Sequence, residues 1–204
     1  MKRYVSMIAA LAAVIVLSSC ATDPPGGPWV TIFDGTPAGL ENWNRLGDAN
    51  WRIEDGAVVA DKKKGKAQGF LVSKKSYGNF QLRVEFWVSH DANSGIFMRC
   101  KDPKKITDSL CYEANIFDQR ADPVFGTGAL TKFAHVDPIY KAGGKWNTYE
   151  ITLNGPHLIL VFNGVKTVDT MNKKFKSGPI GLQYGKGVVK FRKVEIRELQ
   201  SEAS

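Results

Sequence analysis

The chain has 204 residues, a formal net charge of +8 and 43% hydrophobic residues, values that fit one domain of ordinary size with an ample core. Its excess lysines fall in separate turns, as KKKGK at 62–66, KK at 74–75 and 104–105, and KKFK at 173–176. Because few aromatic residues lie between them, the runs indicate solvated loops, or contact with anionic lipid or an acidic polymer, and argue against nucleic-acid binding.

The N-terminus has the features of a secretory signal peptide. Lys2 and Arg3 precede an apolar run over 5–17, which is shorter than the roughly 20 residues that a helix needs to cross a bilayer. The run ends in Leu-Ser-Ser-Cys at 17–20, which resembles the bacterial lipobox and implies cleavage before Cys20 and lipid attachment to its sulfur. The alternative is an ordinary signal peptide with an incidental cysteine.

The chain is therefore predicted to comprise a lipoprotein leader over 1–19, a tether over 20–28 that starts at lipidated Cys20, and a single domain over 29–200. The expected location is the bacterial cell envelope. Contact with the membrane would then be made through the lipid anchor only.

The domain itself is predicted to be all-β. Apolar residues alternate with period two along 79–90, and no stretch of the mature chain has a convincing apolar stripe at helical spacing. A short helix is expected near 39–43. The other predicted strands are 30–33, 51–54, 57–60, 69–73, 94–101, 111–118, 147–154, 157–163, 165–169, 179–184 and 188–198.

Turn residues between these strands indicate hairpins. Asn163-Gly164 favours a tight turn with positive φ, so the strands at 147–154, 157–163 and 165–169 should form an antiparallel meander. The apolar spacing changes near Arg192 and Lys193, which predicts a β-bulge or a bend. Short strands joined by hairpins, without crossover helices, predict two antiparallel sheets packed face to face.

Cys100 and Cys111 remain once Cys20 is assigned to the lipid, and the exported compartment permits disulfides. We therefore expect a bridge between them that closes the loop at 101–110. No Cys-x-x-Cys spacing indicates a redox function.

The strand YEANIFD at 112–118 carries an unusual set of polar residues. Alternation directs Tyr112, Ala114 and Ile116 to one face and Glu113 and Asn115 to the other. The expected bridge makes SGIFMRC at 94–100 its antiparallel neighbour and, if residue 98 lies opposite residue 113, brings Arg99 near Glu113 or Asn115. The pair is either a solvated cross-strand ion pair or part of a concave face that hydrogen-bonds a sugar.

Other chemistries leave no signature. The sequence has no phosphate-binding glycine loop, no His-Glu-x-x-His helix and no Gly-x-Ser-x-Gly elbow, and its three histidines are scattered. Aromatic residues can stack on sugars, and Trp87 and Trp146 are the better candidates for a binding face, whereas Trp29, Trp43 and Trp51 are expected to pack.

A set of segments in fixed order resembles the 3-keto-disaccharide hydrolase domain family. The resemblance spans about Val30 to Leu199, and its segments are TIFDGT with LENW, WRIEDGAVVA, GFLVSKKSYGNFQLRVEFWVS, NSGIFMR, YEANIFD, GTGAL, KWNTYEITLNG, LILVFNGVKTVD and GPIGLQ. It implies a two-sheet antiparallel jelly-roll sandwich of the concanavalin-like lectin and glucanase type. It also implies a secreted or lipid-anchored protein that cleaves glycosides oxidised at carbon 3, such as 3-keto-disaccharides.

The resemblance also implies site residues. The family's motifs fall on Glu113, Asn115 and Asp118, on 94–99 and on Gln183. A ketone at carbon 3 acidifies the hydrogen at carbon 2, so cleavage would be an elimination. We expect Glu113 to act as base or acid and Arg99 to stabilise the enolate, while Asp118 and Gln183 orient hydroxyls or hold a divalent ion.

Two departures from the family pattern bear on the substrate. Asn115 stands where glutamine is frequent, and Thr131 and Lys132 follow GAL where an aromatic residue is frequent. Lys132, Trp87 and Asn115 are further candidates for substrate binding, and the long segment 119–142 is expected to form a wall of the site. The alternatives to an enzyme are a non-catalytic carbohydrate-binding lipoprotein and a structural envelope protein.

Overall fold

The computed structural model describes residues 26–200, which form two packed β-sheets. The leader, most of the tether and Cys20 lie outside these residues. The strands are Val30–Phe33 (β1), Trp43–Leu46 (β2), Arg52–Glu54 (β3), Ala57–Ala60 (β4), Gly69–Tyr77 (β5), Phe80–Val88 (β6), Ser94–Met98 (β7), Tyr112–Ile116 (β8), Trp146–Asn154 (β9), His157–Phe162 (β10), Val165–Met171 (β11), Gly178–Tyr184 (β12) and Val189–Glu198 (β13).

The two sheets confirm the predicted sandwich. The larger has eight strands in the order β11-β10-β9-β6-β13-β4-β3, with β1 paired to β13, and the smaller has five in the order β2-β5-β12-β7-β8. The pairings between these strands are antiparallel. In the described part of the chain, no helix is long and apolar enough to cross a membrane.

The core lies between the sheets and is built from alternate residues of each strand. In β6 the inward residues Phe80, Leu82, Val84 and Phe86 are fully buried, as the period-two pattern predicts. The smaller sheet contributes side chains that belong to the same apolar cluster, including Leu71, Ile96, Met98, Tyr112, Ala114, Ile116 and Leu182.

The turn and bulge predictions are also confirmed. Asn163 and Gly164 have φ values of 48° and 81° and join β10 to β11, which pairs back along it. The register of β13 against β6 shifts between Phe191 and Lys193, where a bulge was expected.

The short helix expected near residues 39–43 is confirmed, but the strand that follows it was not predicted. A 3-10 helix covers Ala38–Asn42, and β2 follows it at once. This strand is short and lies at the edge of the smaller sheet, and Trp43 is its one fully buried residue. Alternation over four residues with so little apolar content is too weak a signal to recognise from sequence.

Arg99 is a structural residue rather than a neighbour of Glu113. Strand β7 ends at Met98, and Arg99 has a φ of 51°, so its side chain leaves the alternation and enters the end of the sandwich. There it is 1% exposed and donates to the carbonyl oxygens of Gly78 at 2.8 Å, Gly155 at 2.8 Å and Phe175 at 3.2 Å. It also donates to Asn79 Oδ1 at 3.2 Å. The expected proximity of Arg99 to Glu113 was therefore wrong.

Replacing Arg99 with methionine is expected to destabilise the fold by about 2–4 kcal/mol, because three carbonyl groups lose their donor at a buried site. Urea denaturation followed by fluorescence measures the change. Arg45→Met, at an exposed position of β2, is the matched control and should alter stability by less than about 0.5 kcal/mol. Equal stability of the two variants would contradict this structural function.

Candidate active site

The candidate site lies on the face of the smaller sheet that points away from the core. Phe97 of β7 is opposite Glu113 of β8, and Gly95 is opposite Asn115. The pairing therefore differs by one residue from the expected register, in which residue 98 lay opposite Glu113. The expected separation of faces is confirmed, because Tyr112 and Ala114 pack in the core while Glu113 lines a surface cavity.

The predicted disulfide is present and shapes one side of this cavity. Cys100 and Cys111 are bonded, with their Cα atoms 4.2 Å apart. The bridge closes the loop at 101–110, and Ile106, Thr107 and Asp108 of that loop line the cavity. The covalent link thus holds a wall of the site against the strands that form its floor.

The cavity has a volume of about 340 Å³. It combines carboxyl, amide, hydroxyl and guanidinium groups with three phenylalanine rings, a mixture suited to a polar ligand that also has apolar faces. Its lining residues are Gln68, Asn93, Phe97, Ile106, Thr107, Asp108, Glu113, Asn115, Phe117, Arg120, Phe125, Thr131 and Gln183.

Gly95 keeps the floor of the cavity open. A Cβ atom at this position would lie 2.7 Å from Glu113 Oε1 and 3.4 Å from Gln183 Oε1. The first distance is below van der Waals contact, so any larger residue would displace the carboxyl group. The absent side chain therefore lets Glu113 and Gln183 converge from the two strands that flank β7.

Glu113 is the most perturbed carboxyl group of the site. Its side chain is buried, and this desolvation raises its pKa from an ordinary 4.5 to about 8. The Thr131 hydroxyl lies beside the carboxyl group and opposes part of the rise, although its geometry falls short of a full hydrogen bond. The negative charge of Asp108 adds to the rise, and Lys132 opposes it. At neutral pH, Glu113 is therefore mainly protonated.

Two further polar oxygens face the site without a partner. Gln183 Oε1 and Thr131 Oγ1 are buried and form no hydrogen bond within the protein. The other end of the Gln183 amide is fixed, because its Nε2 donates to Gln68 Oε1 at 2.9 Å. A buried oxygen without a partner is costly, so a donor from a bound hydroxyl group or a water molecule would stabilise both atoms.

Asn115 lines the cavity but its amide is used within the protein. Its Nδ2 donates to the Phe125 carbonyl, and its Oδ1 accepts from the Ile116 N–H at 3.0 Å. The Asn115 side chain thus holds the turn that contains Phe125 in place.

The segment at 119–142 forms the expected wall. Its residues 126–131 run beside β8, where Asn115 N–H donates to the Ala129 carbonyl and Thr131 N–H donates to the Glu113 carbonyl, both at 3.0 Å. Arg120, Phe125 and Thr131 of this segment line the cavity. The wall is thereby bonded to the strand that carries Glu113.

Asp118 fastens the base of this segment and does not line the cavity. Its carboxylate accepts from Thr127 Oγ1 at 2.7 Å, Ala142 N–H at 2.9 Å and Gly143 N–H at 2.7 Å. The expectation that Asp118 orients a substrate hydroxyl or holds a divalent ion was wrong, because its carboxylate is bound within the protein and lies outside the cavity, whereas Gln183 does line the cavity. Across residues 26–200, no group of three or more His, Cys, Asp or Glu side chains could hold a metal ion.

The two other residues predicted to bind substrate, Lys132 and Trp87, both lie outside the lining of the cavity. Lys132 does not line the cavity but forms an ion pair with Asp108, at 2.8 Å, and so lies at the rim. Trp87 is remote, because it lies on β6 in the larger sheet, opposite Trp146 and under the Lys190 ammonium. Alternation correctly directed Trp87 away from the core but could not tell which sheet it belonged to.

Sequence reasoning missed Gln68, Asp108 and Arg120 as lining residues. Each comes from a loop or strand end that the fold, and not local sequence, brings to the cavity. Two signals were available: Asp108 belongs to the loop closed by the expected disulfide, and Arg120 belongs to the expected wall at 119–142. Arg120 is the cationic lining residue, and its guanidinium lies 5.1 Å from the centroid of the Phe125 ring.

Comparison with known families gives one match that spans most of the domain. The sequence profile of the 3-keto-alpha-glucoside-1,2-lyase-like domain matches residues 28–197. A 3-keto-disaccharide hydrolase from Bacteroides thetaiotaomicron is 36% identical over 78 residues, which is 34% of this chain and 26% of that protein. The match thus spans about a quarter of the length of that relative.

Solved structures share the fold. A protein from Parabacteroides distasonis ATCC 8503, described as a candidate glycosyl hydrolase, superposes with a TM-score of 0.72 at 17% identity, over 84% of this chain and 94% of that one. A carbohydrate-binding module, CBM66 from Bacillus subtilis, superposes with a TM-score of 0.56 at 15% identity, over 76% and 94%. These similarities establish a concanavalin-like jelly-roll sandwich.

The raised pKa of Glu113 predicts how stability depends on pH. Between pH 4.5 and about 8 the folded protein holds a proton that the unfolded chain releases, so the stability contributed by this group falls as pH rises through that window. Glu113→Gln lacks the buried charge. The Tm of Glu113→Gln minus that of wild type should therefore be greater at about pH 9 than at about pH 5, by roughly 3 °C or more.

Differential scanning calorimetry at both pH values measures this difference. Glu41→Gln, at an exposed position, is the matched control and should show no such change. A Tm difference for Glu113→Gln that stays constant with pH would contradict the burial argument.

Proposed function

Because the chain belongs to the 3-keto-alpha-glucoside-1,2-lyase-like domain family, we propose that it cleaves the glycosidic bond of 3-keto-glycosides, including 3-keto-disaccharides. The observation that carries the proposal is a protonated Glu113 beside buried amide and hydroxyl oxygens that have no partner within the protein. The name of the Bacteroides thetaiotaomicron relative supports the same substrate class.

The reaction follows from the acidity of the substrate. The ketone at carbon 3 withdraws electrons and makes the hydrogen at carbon 2 acidic. A base removes that proton, the electron pair forms a double bond between carbons 1 and 2, and the bond from carbon 1 to the glycosidic oxygen breaks. The departing oxygen takes a proton from an acid, and later addition of water at carbon 1 would complete a net hydrolysis.

Glu113 is suited to the acid step. A group with a pKa of about 8 is protonated at neutral pH and is still acidic enough to give up its proton to an oxygen that develops negative charge. Glu113 lines the cavity, and Gly95 has no side chain to cover its carboxyl group. The proton can therefore pass to a substrate that lies on the floor of the cavity.

Asp108 is the carboxylate available to take the proton from carbon 2. It lines the same cavity and forms an ion pair with Lys132 at 2.8 Å. Two carboxyl groups in contrasting environments, one buried and one ion-paired, are a usual arrangement for separate acid and base steps.

Arg120 replaces Arg99 in the proposed stabilisation of the enolate. Arg99 is bound to backbone carbonyls outside the cavity, whereas the guanidinium of Arg120 lines it. A cation near the carbon 3 oxygen lowers the free energy of the enolate more than that of the ketone, so it accelerates removal of the proton. Gln183 Oε1 and Thr131 Oγ1 would accept hydrogen bonds from sugar hydroxyls.

Glu113→Gln should lower kcat/KM for a 3-keto-disaccharide by at least about 100-fold, because the amide cannot donate an acidic proton. In the wild type, kcat/KM should fall above about pH 8 as Glu113 ionises. Release of the reducing sugar, followed by chromatography, measures both effects.

Asp122→Asn, at an exposed position outside the cavity, is the control and should retain wild-type turnover. Full turnover by Glu113→Gln, or a rate that rises through pH 8, would remove Glu113 from the acid function.

Carbohydrate binding without catalysis is the second candidate. The three phenylalanine rings and the amide groups of the cavity favour it, because such groups bind sugars without any proton transfer. Calorimetric binding of an unoxidised disaccharide, with no cleavage of the 3-keto form, would establish this alternative over the enzyme.

We also propose that the protein is exported and lipid-anchored in the bacterial envelope. The sequence over 1–20 supports this location, and a disulfide between Cys100 and Cys111 is typical of an oxidising compartment.

A further inference from the structure

A cluster of four lysines surrounds Phe175 at one end of the sandwich. This basic end consists of Lys101, Lys173, Lys174 and Lys176, all exposed. The ammonium groups of Lys101 and Lys174 lie 5.6 Å and 5.2 Å from the centroid of the Phe175 ring. In the part of the chain that the structure describes, none of the four forms a salt bridge.

A second cavity opens among these lysines, with a volume of about 320 Å³. Its lining residues are Asn79, Gly155, Pro156, Lys173, Phe175 and Lys176. Its rim is therefore cationic and its floor apolar. The buried guanidinium of Arg99 lies behind it, bound to the carbonyls of Gly155 and Phe175 without a carboxylate, and adds a further positive charge.

The described chain begins at the same end. Gly26 forms a β-bridge with Leu199, whose N–H donates to the Asn79 carbonyl at 2.9 Å. Asn79 in turn lines the cationic cavity. Cys20, the expected site of lipid attachment, is six residues before Gly26 in the sequence. Six residues of fully extended chain span about 20 Å.

We propose that the basic end docks on an anionic lipid surface, with lipid phosphate groups bound between Lys173 and Lys176. Phosphate oxygens supply the negative charge that these lysines lack within the protein, and the exposed ring of Pro156 at the cavity offers an apolar contact to the adjoining glycerol carbons. Membrane contact would then involve the domain surface as well as any anchor. This inference is independent of the proposed catalytic activity.

Such docking leaves the Glu113 cavity accessible. Strand β12 runs from Gly178, two residues beyond Lys176, to Gln183 and Tyr184. Gln183 is thus about 16 Å farther along the sheet than the basic end. The site also opens on the face of the smaller sheet, whereas the lysines lie at its end, so a substrate from the aqueous side could still enter.

Lysine reactivity tests the proposal with the full chain processed in its bacterial host and mixed with vesicles. The vesicles contain phosphatidylcholine alone or with about 30% phosphatidylglycerol. We expect Lys173, Lys174 and Lys176 to be acylated about fivefold more slowly with the anionic vesicles, as measured by mass spectrometry. Because the attraction is electrostatic, about 0.5 M NaCl should remove the protection.

A matched pair of variants separates position from net charge. Lys173→Gln/Lys176→Gln should lower the affinity for anionic vesicles by roughly tenfold or more. Lys62→Gln/Lys64→Gln removes the same charge beyond the opposite end of β13, next to the strand that pairs with Val189, and should retain wild-type affinity.

Three outcomes would overturn the proposal. Equal lysine reactivity with both vesicle types would show that no anionic surface is recognised. Equal losses of affinity in both double variants would show an effect of net charge alone. Protection by soluble inorganic phosphate or an acidic polysaccharide, without protection by vesicles, would assign the basic end to a soluble anion or polymer.

Discussion

The antiparallel pairing of Ser94–Met98 with Tyr112–Ile116 is the constraint on which the candidate site depends. It directs Tyr112 and Ala114 into the core and so forces Glu113 to the outer face, where Gly95 leaves room for its carboxyl group. The Cys100–Cys111 bridge fixes the ends of both strands. The raised pKa of Glu113 thus depends on the register of the sheet, because a glutamate one position along strand β8 would lie in the core or in solvent.

Stability and chemistry oppose each other at this position. The core gains from apolar burial on one face of β8, while the other face holds an acidic group in surroundings that penalise its charge. The protein retains further unfavourable features there, since Gln183 Oε1 and Thr131 Oγ1 lack partners. Arg99 shows the contrasting solution, in which a buried charge is satisfied by carbonyl groups from three segments and serves the fold.

The sequence predicted those features that depend on local periodicity. Sequence patterns identified the strands other than β2, the hairpin at Asn163-Gly164 and the opposite faces of Tyr112 and Glu113. Alternation failed at Arg99 and Asp118, because both lie beyond the end of a strand, and Arg99 in addition has a positive φ that takes its side chain out of the alternation. The sequence predicted the wall at 119–142 but did not identify Gln68 or Arg120 as lining residues, since these two are distant in sequence and meet only through the tertiary fold.

The way the wall at 119–142 is attached has a consequence for how substrate preference can diverge. Asp118 ties the far end of the segment, and the bonds from 126–131 to β8 tie its middle. The side chain of Arg120, which lies between these ties, lines the cavity and contacts the Phe125 ring, and within residues 26–200 it forms no hydrogen bond to the framework. Substitutions there can therefore accumulate during evolution and change which sugar is accepted, while the sandwich and its acidic centre are inherited intact.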